Sequence, residues 1–226
     1  MIVGMHQPNF FPYLGFFHKM VRCDVFVILD KVQMEWGRTQ RNRIMARDGT
    51  PQWIRIPVAR KYKFRKINEV KIDNETHWGI RLLDQFSVYK DTAYFEEISD
   101  IFDDLLSKDW EFLHEINYSI IEKLVDMLGI NVKMIKMPST YDRSTTATQK
   151  LVDICNDLGA DVYLSGVGGK NYIDNTLFQE NDIELRYQEY QPVVYKQCHS
   201  KVFQPNLSVI DSIMNVGADA VKKLIN

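Results

Sequence analysis

Cysteine is scarce in this chain, and long hydrophobic runs are missing. Cys23, Cys155 and Cys198 stand far apart and outside any Cys-x-x-Cys pair, which argues against a disulfide framework and against a zinc site. No apolar stretch reaches the ~20 residues that a membrane helix needs. The opening Met1-Ile2-Val3-Gly4-Met5 has no basic leader, so neither a signal peptide nor membrane insertion is expected. A reducing cytoplasm is the expected location. Repeats, low-complexity tracts and Pro/Gly/Ser linkers are also lacking, so the breaks along the chain are changes of periodicity within a single domain, residues 1–226. Charge of one sign is not in excess: 28 basic residues face 30 acidic ones, a net charge of −2. Nothing global therefore points to nucleic acid or to an anionic membrane surface as a partner.

Several catalytic signatures are absent as well. The chain has no His-Glu-x-x-His, no Gly-x-Ser-x-Gly elbow and no kinase set. His18, His77, His114 and His199 are isolated on helices or loops, where a structural role is the usual one, and no metal is implied.

What is present is a large apolar fraction, 45% of the residues, with 12% aromatic. That suffices to offset the entropy of ordering the backbone. A short apolar strand, Ile2 to Met5, leads into the polar, proline-interrupted stretch His6 to Pro12. A helix from Tyr13 to Val21 should follow, with Pro12 at its start, and Asp24 to Leu29 has the length and β-branched content of a buried strand. Asn42 to Arg47 and Gln52 to Val58 flank the turn signal Asp48-Gly49-Thr50-Pro51, which predicts a hairpin. Pro57 puts the second strand's end at a sheet edge.

Residues 76–129 read as a helical insertion. Its clearest helix carries Phe112, Leu113, Ile116, Ile120, Ile121, Leu124, Val125 and Leu128 on one face and ends at Gly129. The acidic residues Glu96, Glu97, Asp100, Asp103 and Asp104 read as a solvated face. A strand at Val132 to Met137 follows, then a helix capped by Ser144 and stopped by Gly159, with Leu151, Val152, Ile154, Cys155 and Leu158 buried. The strand Asp161 to Leu164, a helix around Tyr172 to Gln179 and a strand Ile183 to Tyr187 form a second strand-helix-strand unit. The expected fold is α/β: a mostly parallel sheet with helices on both faces, in a nucleotide-binding, Rossmann-like layout, interrupted by the central helical insertion. In such sheets ligands bind beyond the carboxyl ends of the strands.

Two unusual loops start at those ends. The first, His6-Gln7-Pro8-Asn9, places an imidazole and two amides on a segment stiffened by proline, hence preorganised. His6, Gln7 and Asn9 are the candidates for catalysis, with His6 as acid or base; the alternative is that His6 only caps a strand end. The second, Ser165-Gly166-Val167-Gly168-Gly169-Lys170, is neither a Walker loop nor a dinucleotide fingerprint. Its position suits phosphate, so Ser165, Gly166 and Lys170 are candidates for holding a cofactor, while a turn that needs glycine only for positive φ is the competing explanation. From Arg38 to Lys71 the chain is dense in Arg and Lys, opposed only by Asp48 and Glu69, and should meet something negative. Asp30, Gln33, Arg38, Asn42 and Arg43 are candidates for an anionic substrate, since Arg forks fit carboxylate or phosphate. The loop from Gln191 to Asp211 ends in a small amphipathic helix that begins at Asn206 or Leu207-Ser208; its role reads as mainly structural.

These residues resemble the WbqC-like family. The resemblance rests on His6-Gln7-Pro8-Asn9-Phe10-Phe11-Pro12-Tyr13-Leu14-Gly15-Phe16-Phe17, Asp24 to Gln33, Asn42-Arg43-Ile44, Trp53 to Val58, Tyr163-Leu164-Ser165-Gly166, Tyr172 to Asp174 and Phe203-Gln204-Pro205-Asn206-Leu207-Ser208, in order along nearly the whole chain. Lys31 departs from it, where relatives often have a second acidic residue after Asp30. What the resemblance implies is a role in bacterial O-antigen or surface-polysaccharide synthesis, with aminoacyl or acyl transfer to an amino sugar or sugar nucleotide as the expected reaction; a non-catalytic sugar-nucleotide-binding or scaffold protein is the alternative. Tyr172, Gln197 and Asn206 complete the expected substrate-binding set. The layout of strand, loop and Tyr13-Leu14-Gly15-Phe16 is also similar to the His-x-Gly-His loop of nucleotidyltransferases, although Tyr13 and Phe16 replace both histidines. The expected partner is an anionic small molecule, nucleotide or nucleotide-linked, and a homodimer is compatible with the sequence.

Overall fold

The structure, a computed structural model, describes residues 1–143 and 146–226, with the side chains of Glu97, Asp100, Asp103, Asp142 and Arg143 left aside. Seven strands and eight α-helices lie within the described residues: β1 (Ile2–His6), α1 (Leu14–Met20), β2 (Val25–Ile28), β3 (Arg41–Met45), β4 (Pro51–Arg55), α2 (Trp78–Phe86), α3 (Phe95–Leu106), α4 (Leu113–Met127), β5 (Lys133–Lys136), α5 (Ala147–Leu158), β6 (Val162–Ser165), α6 (Asn175–Gln179), β7 (Glu184–Tyr187), α7 (Val209–Val216) and α8 (Ala218–Ile225). The main sheet is five-stranded, in the order β5-β2-β1-β6-β7, and each of its pairings is parallel. β3 and β4 form a separate antiparallel hairpin with Arg43 opposite Trp53.

Alternation along the strands divides the apolar residues between two cores. Phe26, Ile28 and Leu164 join Phe16 and Phe17 of α1, Ile116 and Ile120 of α4, and Val209 and Ile213 of α7. Val3, Met5, Val25, Val27 and Tyr163 face the other way, against Val152 and Cys155 of α5 and Phe178 of α6. Helices therefore cover both faces, as a parallel sheet requires. The hairpin and α2 to α4 add to the first core through Ile44, Ile54, Leu82, Phe86 and Phe102.

Local chemistry explains most boundaries. The hairpin turns at Gly49, φ +80°, where the Asp48 carboxylate accepts from the Thr50 amide at 2.9 Å. The segment read as helical throughout breaks into three helices with extended chain before α4. α4 then ends at Gly129, φ +58°. Ser144 lies outside the described residues; Thr146 caps α5, accepting from the Gln149 amide at 3.0 Å. Asp174 caps α6, accepting from Thr176, so that helix starts later than Tyr172. Ser208 caps α7. Of the acidic residues on α3, Asp104 is ion-paired with Lys108 at 2.9 Å, while the side chains of Glu97, Asp100 and Asp103 are outside those described.

Candidate functional site

The strand order reverses around β1. From β1 the chain steps to β2 and β5 on one side, and later to β6 and β7 on the other. A crevice opens at such a switch point, beyond the carboxyl ends of the flanking strands. Both candidate loops begin there: His6 closes β1, and Gly166 follows β6.

His6 is half-buried, its ring edge-on to Phe16 with centroids 5.0 Å apart. Its Nδ1 lies 2.9 Å from the Gln7 carbonyl. A carbonyl only accepts, so the proton sits on Nδ1 and the lone pair of Nε2 is free. Burial, reinforced by the Lys19 ammonium and opposed by that carbonyl, pulls the imidazole down to about 3. Arg38 adds a smaller push in the same direction. The ring is thus a neutral proton acceptor of low basicity.

Gln7 is occupied within the fold. Its Nε2 donates to the Gln33 carbonyl at 3.1 Å, and its Oε1 accepts from the Glu35 amide at 3.1 Å and the Thr39 hydroxyl at 3.2 Å. Asn42 is occupied too, donating to the Phe11 carbonyl at 2.6 Å while its Oδ1 accepts from the Arg43 amide at 2.8 Å. Phe11 needs that support, since its φ of +41° is strained for a residue with a side chain. The Phe11 ring packs edge-on to Phe86 and Phe102 of the insertion. By contrast, the half-buried Asn9 makes no side-chain hydrogen bond among the described residues.

In the second loop packing demands glycine at one position. None of Gly166, Gly168 and Gly169 has a positive φ, which removes the turn-conformation explanation. A Cβ on Gly169 would lie 2.2 Å from the Ser165 Oγ, whereas Gly166 and Gly168 have open space around them. Ser165 is itself buried. Lys170 lies exposed over the Tyr187 ring, 5.2 Å from its centroid, and Tyr172 is 61% exposed. Burial raises the Tyr172 phenol, and the Glu35 carboxylate raises it further. Arg38, which influences both His6 and Tyr13, is ion-paired with Glu35 at 3.1 Å. The segment 33–39 thus reaches electrostatically to both loops, and Gln33 in it is exposed.

Asp30, two residues beyond β2, is buried, and its Oδ1 finds no partner among the described residues; the same holds for Asn68 Oδ1, His114 Nδ1 and Asn117 Oδ1. Burial raises the Asp30 carboxyl against the pull of Lys31, His114 and Lys136. The segments that carry these atoms are in contact: the Asn68 amide donates to the Asp30 carbonyl at 2.9 Å, and Asn117 donates to the carbonyls of Pro8 at 2.7 Å and Thr39 at 2.8 Å.

Other candidates lie apart from these groups. The Arg43 guanidinium is 5.8 Å from the Trp53 ring, which Arg41 covers more closely at 4.1 Å. Gln197 is buried beside α7, where it joins Tyr89 and Tyr195 in donating to the Asp211 carboxylate. Asn206 is exposed at φ +58° in the loop before Ser208. That loop docks on the first one, with the Val209 amide donating to the Pro12 carbonyl at 2.8 Å. Among the described residues no group of three His, Cys, Asp or Glu is arranged to hold a metal, and no helix is long and apolar enough to cross a membrane. A surface cavity of about 410 Å³, lined by Lys61, Tyr62, Arg65 and Glu69, does not include His6 or Ser165, so the site rests on strand-end geometry.

Sequence reading missed two residues. Lys19 of α1 is buried with its ammonium on the Met5 carbonyl; its i+3 spacing from Phe16, on a helix whose only other polar side chain is His18, was the available signal. Asn117 left none, because its partners are more than 70 residues away.

The family model of the WbqC-like proteins matches residues 7–223, a span that starts in the first loop just after His6 and takes in the second loop and the C-terminal segment. The chain belongs to the WbqC-like protein family. It is similar to an uncharacterised protein of Mycobacterium tuberculosis, Rv1507c, at 32% identity over 228 aligned positions that cover 96% of this chain and 95% of the relative. No solved structure matches it. The two chains thus correspond over nearly their full lengths.

Proposed function

We propose that this WbqC-like protein is a cytoplasmic transferase of bacterial O-antigen or surface-polysaccharide synthesis, moving an aminoacyl or other acyl group to an amino sugar or sugar nucleotide. The observation that carries the reading is the departure of two polar loops from the carboxyl ends of adjacent strands at one strand-order reversal, with a neutral imidazole on one and an open, glycine-bearing turn on the other. An acceptor amine must lose a proton as it attacks, and the free Nε2 of His6 is the group to take it. Asn9 orients the acceptor, phosphates of an activated substrate lie against Ser165, Gly166 and Lys170, and Arg38 and Tyr172 border the entrance. A nucleotide or nucleotide-linked substrate fits these groups.

A thermal-shift screen of nucleotides, sugar nucleotides and aminoacyl donors identifies the ligand, because a molecule that binds only the folded state raises the melting temperature. With that ligand in hand, His6→Ala is expected to abolish turnover and leave the melting temperature within a few degrees of wild type. Unchanged turnover removes His6 from the mechanism. The low basicity of His6 favours one second reading, a non-catalytic protein that presents a sugar nucleotide to other enzymes. It requires saturable binding with no product from any donor.

A further inference from the structure

The ladders around β1 stop at different heights. β1 stays paired with β2 through His6 and Ile28, and β6 with β7 through Ser165 and Tyr187, but β1 and β6 pair only as far as Gly4 and Leu164. The Met1 carbonyl faces β6, where it accepts from the Val162 amide at 3.2 Å, and alternation turns the Met5 carbonyl the same way. The next rung would bring the Gly166 amide to that carbonyl. It is not made; Lys19 Nζ donates to the Met5 carbonyl instead, at 2.8 Å.

Lys19 is only 2% exposed. Among the described residues its ammonium makes this single hydrogen bond, forms no ion pair, and has the Phe26 ring 5.5 Å away. An ammonium carries three donors, and burying an unpaired charge costs more than one carbonyl contact returns. The neighbouring groups do not balance the charge. His6 is neutral, and the Cys23 thiol is pushed up to about 12 by burial. A buried cation without a counter-ion thus lies where the two central strands separate, beside a freed backbone N–H.

We propose that Lys19 is the counter-charge for the ligand: an anionic group, phosphate or carboxylate, seats between the ends of β1 and β6 and accepts from the Lys19 ammonium and the Gly166 N–H. A compact ammonium suits this gap better than a guanidinium fork, and bonds to a charged oxygen are the stronger kind. The inference rests on the strand-end crevice being the ligand site. Desolvation already lowers Lys19 to about 8, so the free protein loses the charge as pH rises through that value, and anion affinity must fall with it.

Wild type and Lys19→Met are compared by thermal shift and calorimetry with pyrophosphate and with acetate, from pH 6.5 to 9.5. In wild type at least one anion raises the melting temperature, and its affinity drops roughly tenfold from pH 8 to pH 9.5. Pyrophosphate acting alone assigns a phosphate, acetate a carboxylate. In Lys19→Met the removal of the unpaired charge offsets the loss of the Met5 carbonyl's donor, so the variant folds with a melting temperature within a few degrees of wild type, and its anion response falls at least tenfold and no longer drops between pH 8 and pH 9.5. If the variant does not fold, the nitrogen resonance of Lys19 in wild type decides: its titration moves to higher pH when the anion binds, and a midpoint that stays put overturns the assignment. Retention of the anion response in Lys19→Met also overturns it, while nucleotide or sugar-nucleotide binding would still uphold the reading of the crevice. A wild type that responds to no anion and to no nucleotide ends both.

Discussion

Asn117→Ala tests whether the first loop is held from the insertion. The Asn117 side chain is fully buried on α4, and its amide donates to the Pro8 and Thr39 carbonyls at 2.7 and 2.8 Å. The two losses are unequal. Thr39 keeps the Phe10 amide as a second donor at 3.1 Å, so losing Asn117 costs that carbonyl about 1 kcal/mol. Pro8 has no other donor among the described residues, and a buried carbonyl left bare costs about 1–3 kcal/mol. The sum, about 2–4 kcal/mol, corresponds to a fall of roughly 4–16 °C in melting temperature for a domain of this size. Urea unfolding followed by circular dichroism measures it directly. Hydrogen exchange should localise the loosening to His6–Tyr13 and residues 33–39. A loss below about 0.5 kcal/mol, the range of ordinary surface substitutions, would mean that the loop does not depend on this clamp.

Three further outcomes follow from the same geometry. Asp30→Asn should raise the stability of the ligand-free protein: the folded state holds the Asp30 carboxyl above its ordinary value, so the carboxylate costs stability above the unfolded value of about 4, and a urea midpoint that falls at pH 7 would contradict this. His6, held at about 3 in the folded state against 6.5 ordinarily, leaves the unfolded chain binding the extra proton between those values. Stability should therefore rise with pH through that window and level off above it, and His6→Gln should flatten part of the slope; an unchanged slope would show the imidazole is not desolvated. Gly169→Ala pushes a methyl group against the Ser165 Oγ and should cost about 1–3 kcal/mol, readable as a lower melting temperature, whereas a neutral effect would mean that the loop yields freely.

Much of the fold was legible because it is local. The runs Ile2 to Met5, Asp24 to Leu29 and Asp161 to Leu164 announce buried strands, and the observed ones differ from them by a residue or two at the ends. The turn at Asp48-Gly49-Thr50 and the stop at Gly129 follow from turn chemistry and positive φ. The extended chain between α3 and α4 was not legible, since remote partners fix it: the Ile72 amide donates to the Glu111 carbonyl and the Leu113 amide to the Val70 carbonyl. Among candidate site residues, the sequence shows which ones bear polar groups but not which are consumed by folding. Gln7, Asn42 and Gln197 look as available as Asn9, yet their amides are bonded to backbone and side chains, most of them from 7 to 32 residues away.

Alternation of strand and helix, the two polar loops and the basic segment from Arg38 to Lys71 were determined by the sequence itself, because each depends on neighbours within a few turns of chain. Only the tertiary structure decided that β1 lies between β2 and β6, which start more than 20 and 150 residues away from it. Parallel strands are joined by long crossovers, so no local signal records their order. That order is what sets His6 beside the Ser165 turn, ends one ladder early and leaves the Lys19 ammonium alone at the gap.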